Sequence, residues 1–225
     1  MNELDRLLAF PIRDVPYVFA ALLLAFAVHE FAHAWTAWKF GDPTARRQGR
    51  VTLNPLKHLD VFGTLLIFIA GFGWAKPVPV DRSFFRRARL MGVVVSAAGP
   101  LSNLLLAAAI LFLHYALVRV GGYDAMSAGV YEVLIRFFDL SVRLNLLLFV
   151  FNLIPLPPLD GYRIVNDVAP PAMRLRMNRF EPWSMLVFLL LVFIPPLYRI
   201  TIGPILSLAG KLYIWLNGLM IGIFT

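Results

Sequence analysis

Cysteine is absent from all 225 residues. That excludes disulfides and thiolate metal sites, so any zinc must be held by His, Asp or Glu. Charge is also scarce. Asp, Glu, Lys and Arg make up 15% of the chain, against roughly 25% in soluble domains. Polar stretches are short, the longest being about 20 residues, so no separate soluble domain is expected. There is no internal repeat and no low-complexity tract, which sets aside repeat architectures and disordered linkers. Most of the chain is apolar: 60% of residues are hydrophobic and the mean hydropathy is +0.74. The expectation is a single all-α polytopic membrane domain spanning 1–225, with about five to six transmembrane segments. Acidic residues are outnumbered 13 to 21 by Lys and Arg, a net charge of +8. No basic helix or aromatic platform stands outside the apolar runs, so nucleic acid is not an expected partner. In a membrane protein, excess Lys and Arg mark cytoplasmic loops.

Within the first apolar run lies Val28-His29-Glu30-Phe31-Ala32-His33. On a helix, His29 and His33 stack on one face about 6 Å apart along the axis. That spacing lets two imidazoles share one Zn²⁺, with Glu30 beside the water that the metal activates. Ionisable groups at membrane depth are costly and persist mainly where function needs them.

Along the chain, the spacing predicts a first span at about 15–39, ended by Gly41-Asp42-Pro43. A polar loop at 42–60 follows, with Val51–Leu53 as a possible short strand, Asn54-Pro55 as a turn and His58 without an assignable role. The apolar stretch 61–75 is too short for a straight crossing, which needs about 20 residues, and both its flanks are basic. It reads as a re-entrant segment, with a bend at Gly71-Phe72-Gly73-Trp74. Residues 76–80 read as an extended strand with Pro77 and Pro79 on one edge and free amides at Val78 and Val80 on the other. Such an edge can hold an unwound peptide by strand addition, and Val78→Pro is expected to remove one donor.

Further spans are expected at about 90–118, carrying Gly99 and Asn103, and at about 128–156. The second bears Glu132, Arg136, Asp139 and Arg143 on one face as alternating acid–base pairs. It breaks at Pro155, Pro157 and Pro158, with Asn152 before the break and Asp160-Gly161 after it. Broken backbone at membrane depth is tolerated where protein or a water cavity surrounds it. A carboxylate on such a break is a natural third ligand for a two-histidine zinc site. A basic loop, 161–182, an apolar run at 183–194 and a final helix at about 202–224 complete the chain.

Loops 40–60, 76–89 and 161–182 hold four, five and four Lys or Arg, whereas the opposite side has Arg6, Arg13, Arg119 and Arg199. The positive-inside rule therefore puts the N-terminus outside, and His29, His33 and Asp160 at similar depth toward the cytoplasm.

Together, His29-Glu30-x-x-His33, Gly99-Pro-Leu-Ser-Asn103 and Asn152-Leu-Ile-Pro-Leu-Pro-Pro-Leu-Asp160-Gly161 resemble the site-2 protease family of intramembrane zinc metalloproteases. The loop from Gly49 to Val80 is similar to that of compact members without a PDZ or CBS domain. The resemblance spans roughly 20–165. It implies one zinc held by His29, His33 and Asp160, with Glu30 as the catalytic base. Asn103 and Asn152 are implied to contact substrate or the oxyanion. The implied activity is cleavage of transmembrane segments of membrane-protein substrates, in the plasma membrane of a prokaryotic cell. Competing readings are a transporter or channel using the 132–143 charges and a non-catalytic scaffold with a structural metal.

Overall fold

The structure is a computed structural model and describes residues 9–70 and 73–224. Among these its regular elements are all helices, without a strand. The main helices are α1 (Val15–Lys39), α2 (Val61–Ala70), α3 (Ala88–Arg119), α4 (Ala128–Asn152), α5 (Asp160–Val168), α6 (Pro171–Phe193), α7 (Pro195–Ile200) and α8 (Ile202–Phe224). Three described segments are long and apolar enough to cross a membrane: Ile12–Lys39, which includes α1, together with α3 and α8. The protein is therefore an integral membrane protein. α4 and α6 have the length, but the four charges of α4 and the basic first half of α6 set them apart from the other three.

Helices α1, α3 and α4 pack against one another, and α8 covers α3 and α4. α1 starts with Pro16 in its first turn, where a missing N–H costs no helical bond. It buries Val18, Ala21, Leu22, Ala25, His29 and His33, a helical stripe facing its neighbours. α3 answers with Gly92, Ser96, Gly99, Asn103 and Ala107, all buried. Small side chains on both stripes let the backbones approach closely, which is how helices associate where lipid offers no hydrophobic gain. Ala107, Leu111, Val142, Leu146 and Leu216 form the core shared by α3, α4 and α8.

Several expected boundaries shift. The region read as loop 161–182 is mostly helix: α5 packs on α3, and α6 runs through Pro182 without ending there. Proline removes one helical bond but does not stop a helix whose other contacts hold it. Of the four charges of α4, Asp139 and Arg143 pair within the helix as expected, whereas Arg136 pairs outside it. Arg136 makes a bidentate bond to Asp14, at 2.8 and 2.5 Å, while Arg143 and the Tyr213 hydroxyl both donate to Asp139. The bonds to Asp14 and from Tyr213 tie α4 to the start of α1 and to α8.

α2 has ten residues, about 15 Å at 1.5 Å per residue, or half of a hydrocarbon core. Residues 71 and 72 of the expected bend lie outside the described residues, but its far side is clear. A Cβ at Gly63 would collide with the Trp74 carbonyl, and one at Gly73 with the Gly63 carbonyl, so the returning chain touches the start of α2. Lys76 N–H donates to His58 O at 2.8 Å, joining the two flanks of the segment.

Candidate metal centre

His29 and His33 sit on the buried face of α1, and Asp160 opens α5. The turn before Asp160 holds a cis Pro157–Pro158 bond. Gly161 lets this turn press on α4's end, since a Cβ there would strike the Leu153 carbonyl. Asp160 thus stands in the first turn of a helix, where a carboxylate is favoured. Arg82 pairs with the buried Asp167 near the other end of α5, which fastens that helix to the loop preceding α3.

The three side chains converge. His29 Nε2 and His33 Nε2 are 3.0 Å apart, and each is 3.2 Å from Asp160 Oδ2. Atoms held about 2.0–2.1 Å from a tetrahedral ion lie about 3.3 Å from each other, so the spacing fits zinc. The outer ring nitrogens support this. His29 Nδ1 donates to Asn103 Oδ1 at 2.6 Å, and His33 Nδ1 donates to the Val95 carbonyl at 2.7 Å. With protons outside, both Nε2 lone pairs point inward with a carboxylate oxygen, an arrangement suited to a bound cation. Two nitrogens and one oxygen also leave the fourth zinc position open. Among the described residues, this is the group of three His, Cys, Asp or Glu whose ligand atoms all lie within 4.8 Å.

Gly99 makes the convergence possible. An added Cβ there would overlap His33 Nε2 and lie 2.6 Å from His29 Nε2. The Val95 carbonyl of α3 takes up the outer nitrogen of His33.

Glu30 is buried beside this centre, and its Oε2 accepts from Val78 N–H at 2.8 Å. That corrects the expectation for 76–80. The segment is not a strand, and the Val78 amide is committed to Glu30 rather than free to dock a peptide. The likewise expected strand at Val51–Leu53 is irregular backbone. Instead, hydrogen bonds tether the segment to the C-terminal half of α1 and the loop after it. Besides Val78 to Glu30 and Lys76 to His58, Arg50 donates to the Lys76 carbonyl at 2.5 Å, and Asp81 N–H donates to Asp42 Oδ2 at 2.8 Å. Burial pushes the Arg50 guanidinium below its usual range, and the Glu30 charge opposes that shift.

The remaining sequence candidates fall in different places. Asn103 is fully buried, and its amide protons are spent on Ala25 O and Asn145 Oδ1. Expected to meet substrate or an oxyanion, it faces His29 instead. Asn152 ends α4 half-buried, donating to Leu148 O in its own helix. His58 is fully buried and bonds through Nε2 to Thr52 O, away from the three ligands. Sequence reasoning missed Asn145, although it lies two turns before Asn152, a lone amide in an apolar run. It missed Arg50 as a clamp because nothing local distinguishes it from Arg46 and Arg47.

Residues 17–195 match the model of peptidase family M50. The chain belongs to this family. It is 51% identical over 209 residues to a Bacillus subtilis protein provisionally named zinc metalloprotease YwhC, covering 92% of this chain and 93% of that one. It is 33% identical over 187 residues to the Mycolicibacterium smegmatis protein provisionally named zinc metalloprotease Rip2, covering 81% and 68% respectively. No solved structure matches it. The M50 chain is thus a zinc metalloprotease of the site-2 protease type, and its histidine–histidine–aspartate group suits the metal.

Proposed function

We propose that this M50 protein is an intramembrane endopeptidase that cuts transmembrane segments of membrane-protein substrates near their cytoplasmic ends. The observation that carries the reading is a three-ligand centre with an adjacent buried carboxylate, its two histidines and the carboxylate on a helix long and apolar enough to cross a bilayer. His29, His33 and Asp160 hold the zinc, and Glu30 is the catalytic base. When bound there, zinc would lower the pKa of a water toward about 7 and polarise the substrate carbonyl. Glu30 takes the proton of the attacking water and passes it to the leaving amine. The Val78 amide holds one Glu30 oxygen and leaves the other for that exchange. Asn152, at the mouth of the broken segment, is the candidate donor to the oxyanion, because Asn103 has no amide proton to spare. A helical substrate hides its carbonyls in its own hydrogen bonds and has to unwind before it reaches these groups. Residues 1–225 act as one membrane domain, with its catalytic core at about 15–165.

A single-span peptide incubated with the zinc-loaded protein in liposomes is expected to be cut within its apolar stretch, toward the cytoplasmic end. Mass spectrometry locates the cuts, and cuts confined to soluble flanks would sink the intramembrane reading.

Orientation is open to a direct measurement. With the N-terminus outside and 61–75 re-entrant, positions 57 and 82 share the cytoplasmic side. The bond from Lys76 N–H to His58 O and the short α2 support this. Single cysteines placed at the two positions have no native thiol to compete with. Both are expected to be protected from an impermeant reagent in intact cells and labelled after lysis. Labelling of position 82 but not 57 would mean that 61–75 crosses the bilayer.

A further inference from the structure

Asn145 lies on α4, fully buried, and no step above uses it. Its Nδ2 donates to the Ser141 carbonyl at 2.8 Å, and its Oδ1 accepts from Asn103 Nδ2 at 2.9 Å. A backbone carbonyl can only accept, so Asn145 has to turn its NH₂ to Ser141 and its oxygen to Asn103. Asn103 then answers with its own NH₂, which also reaches the Ala25 carbonyl at 3.2 Å. What Asn103 has left is oxygen, 2.6 Å from His29 Nδ1. That oxygen accepts only from an N–H, so Nδ1 carries the proton and the Nε2 lone pair faces His33 and Asp160. A single direction of hydrogen bonding runs from a carbonyl of α4 through two amides to a ligand on α1.

We infer that Asn145 is a positioning residue of the metal centre, acting through Asn103 to fix the ring orientation and tautomer of His29. The inference rests on the reading of His29, His33 and Asp160 as zinc ligands. Removing Asn145's polar end leaves the Asn103 NH₂ held only by the 3.2 Å bond to the Ala25 carbonyl, so that it turns toward His29 more readily. Two donors would then face each other, and the ring would have to rotate or change tautomer.

Zinc affinity of the purified full chain in detergent, measured by competition with a chelator, tests this. Asn145→Leu keeps the branching and heavy-atom count and is expected to weaken zinc binding by about 10- to 100-fold, the range for loss of such an outer partner. Asn145→Asp is expected to stay within about threefold of the parent, well short of that range. Burial favours its neutral acid, whose O–H can serve Ser141 while its C=O accepts from Asn103. Parent-like affinity in Asn145→Leu would overturn the inference. So would Asn145→Asp as weak as Asn145→Leu, since packing alone would then account for both. A parent that binds no zinc would instead overturn the metal-centre reading itself. A measurement without any variant is available too, because the chain has four histidines. In nitrogen-15 histidine spectra of the zinc-free parent, His29 Nδ1 is expected to be protonated. An unprotonated Nδ1 overturns the inference even if Asn145→Leu fails to fold.

Discussion

Glu30→Gln is expected to keep its zinc and lose at least about a hundredfold in peptide cleavage, the usual scale of a lost general base. The geometry explains why the two effects separate. Glu30 is not among the three converging ligands, and one of its oxygens is taken by the Val78 amide. Glutamine has nearly the same volume, and its amide oxygen can still accept from Val78, so the segment at 76–80 should stay in place. What it cannot do is accept a proton from water at neutral pH. Bound zinc and cleavage of a membrane-spanning peptide, measured on the same preparation, check the split. Normal cleavage by Glu30→Gln would show that the site is not a hydrolase of this type.

Asp160→Ala is expected to lose both properties, with zinc bound at least about a hundredfold more weakly. A ligand lost outright should cost no less than the loss of an outer partner, which reaches about that size. Two histidines remain, but the site's only anionic ligand is gone. Zinc ligands must also be assembled by packing, because α1 and α5 are far apart in sequence and meet only in the folded bundle. Full zinc occupancy in Asp160→Ala would mean that another residue completes the site. His58 is then the first candidate: its Nε2 is held by the Thr52 carbonyl, while its buried Nδ1 has no hydrogen-bond partner. A fall in zinc with an unchanged helical spectrum is the supporting result.

Much of the site was legible in the sequence because its parts are local and chemically unusual. Two histidines four apart in an apolar helix announce a shared face, and an aspartate after a proline-broken helix announces a carboxylate at depth. Asn103 shows the limit. A polar residue in a span signals importance, but not which neighbour it serves; substrate and His29 are equally consistent with its position along α3. Val78 shows the same limit from the other side. The proline pattern identified an edge with available amides, and only the fold revealed that the Val78 amide points at Glu30. The first half of α6 was read as a loop because basic residues and Pro182 outweigh apolar periodicity there, although a helix emerging from a bundle accommodates both.

By itself, the sequence determined the membrane class, the helical pairing of His29 with His33, the candidacy of Asp160 and the absence of thiol ligands. Each follows from composition or from spacing within a single element. Tertiary structure alone decided the convergence of three ligand atoms to 3.0–3.2 Å. It also decided the need for glycine at position 99, the holding of Glu30 by Val78, and the amide chain from Ser141 to His29. Those depend on distances between elements that lie tens of residues apart in sequence. Local pattern places a side chain on a face of its helix, but close packing of α1, α3, α4 and α5 decides what that face meets.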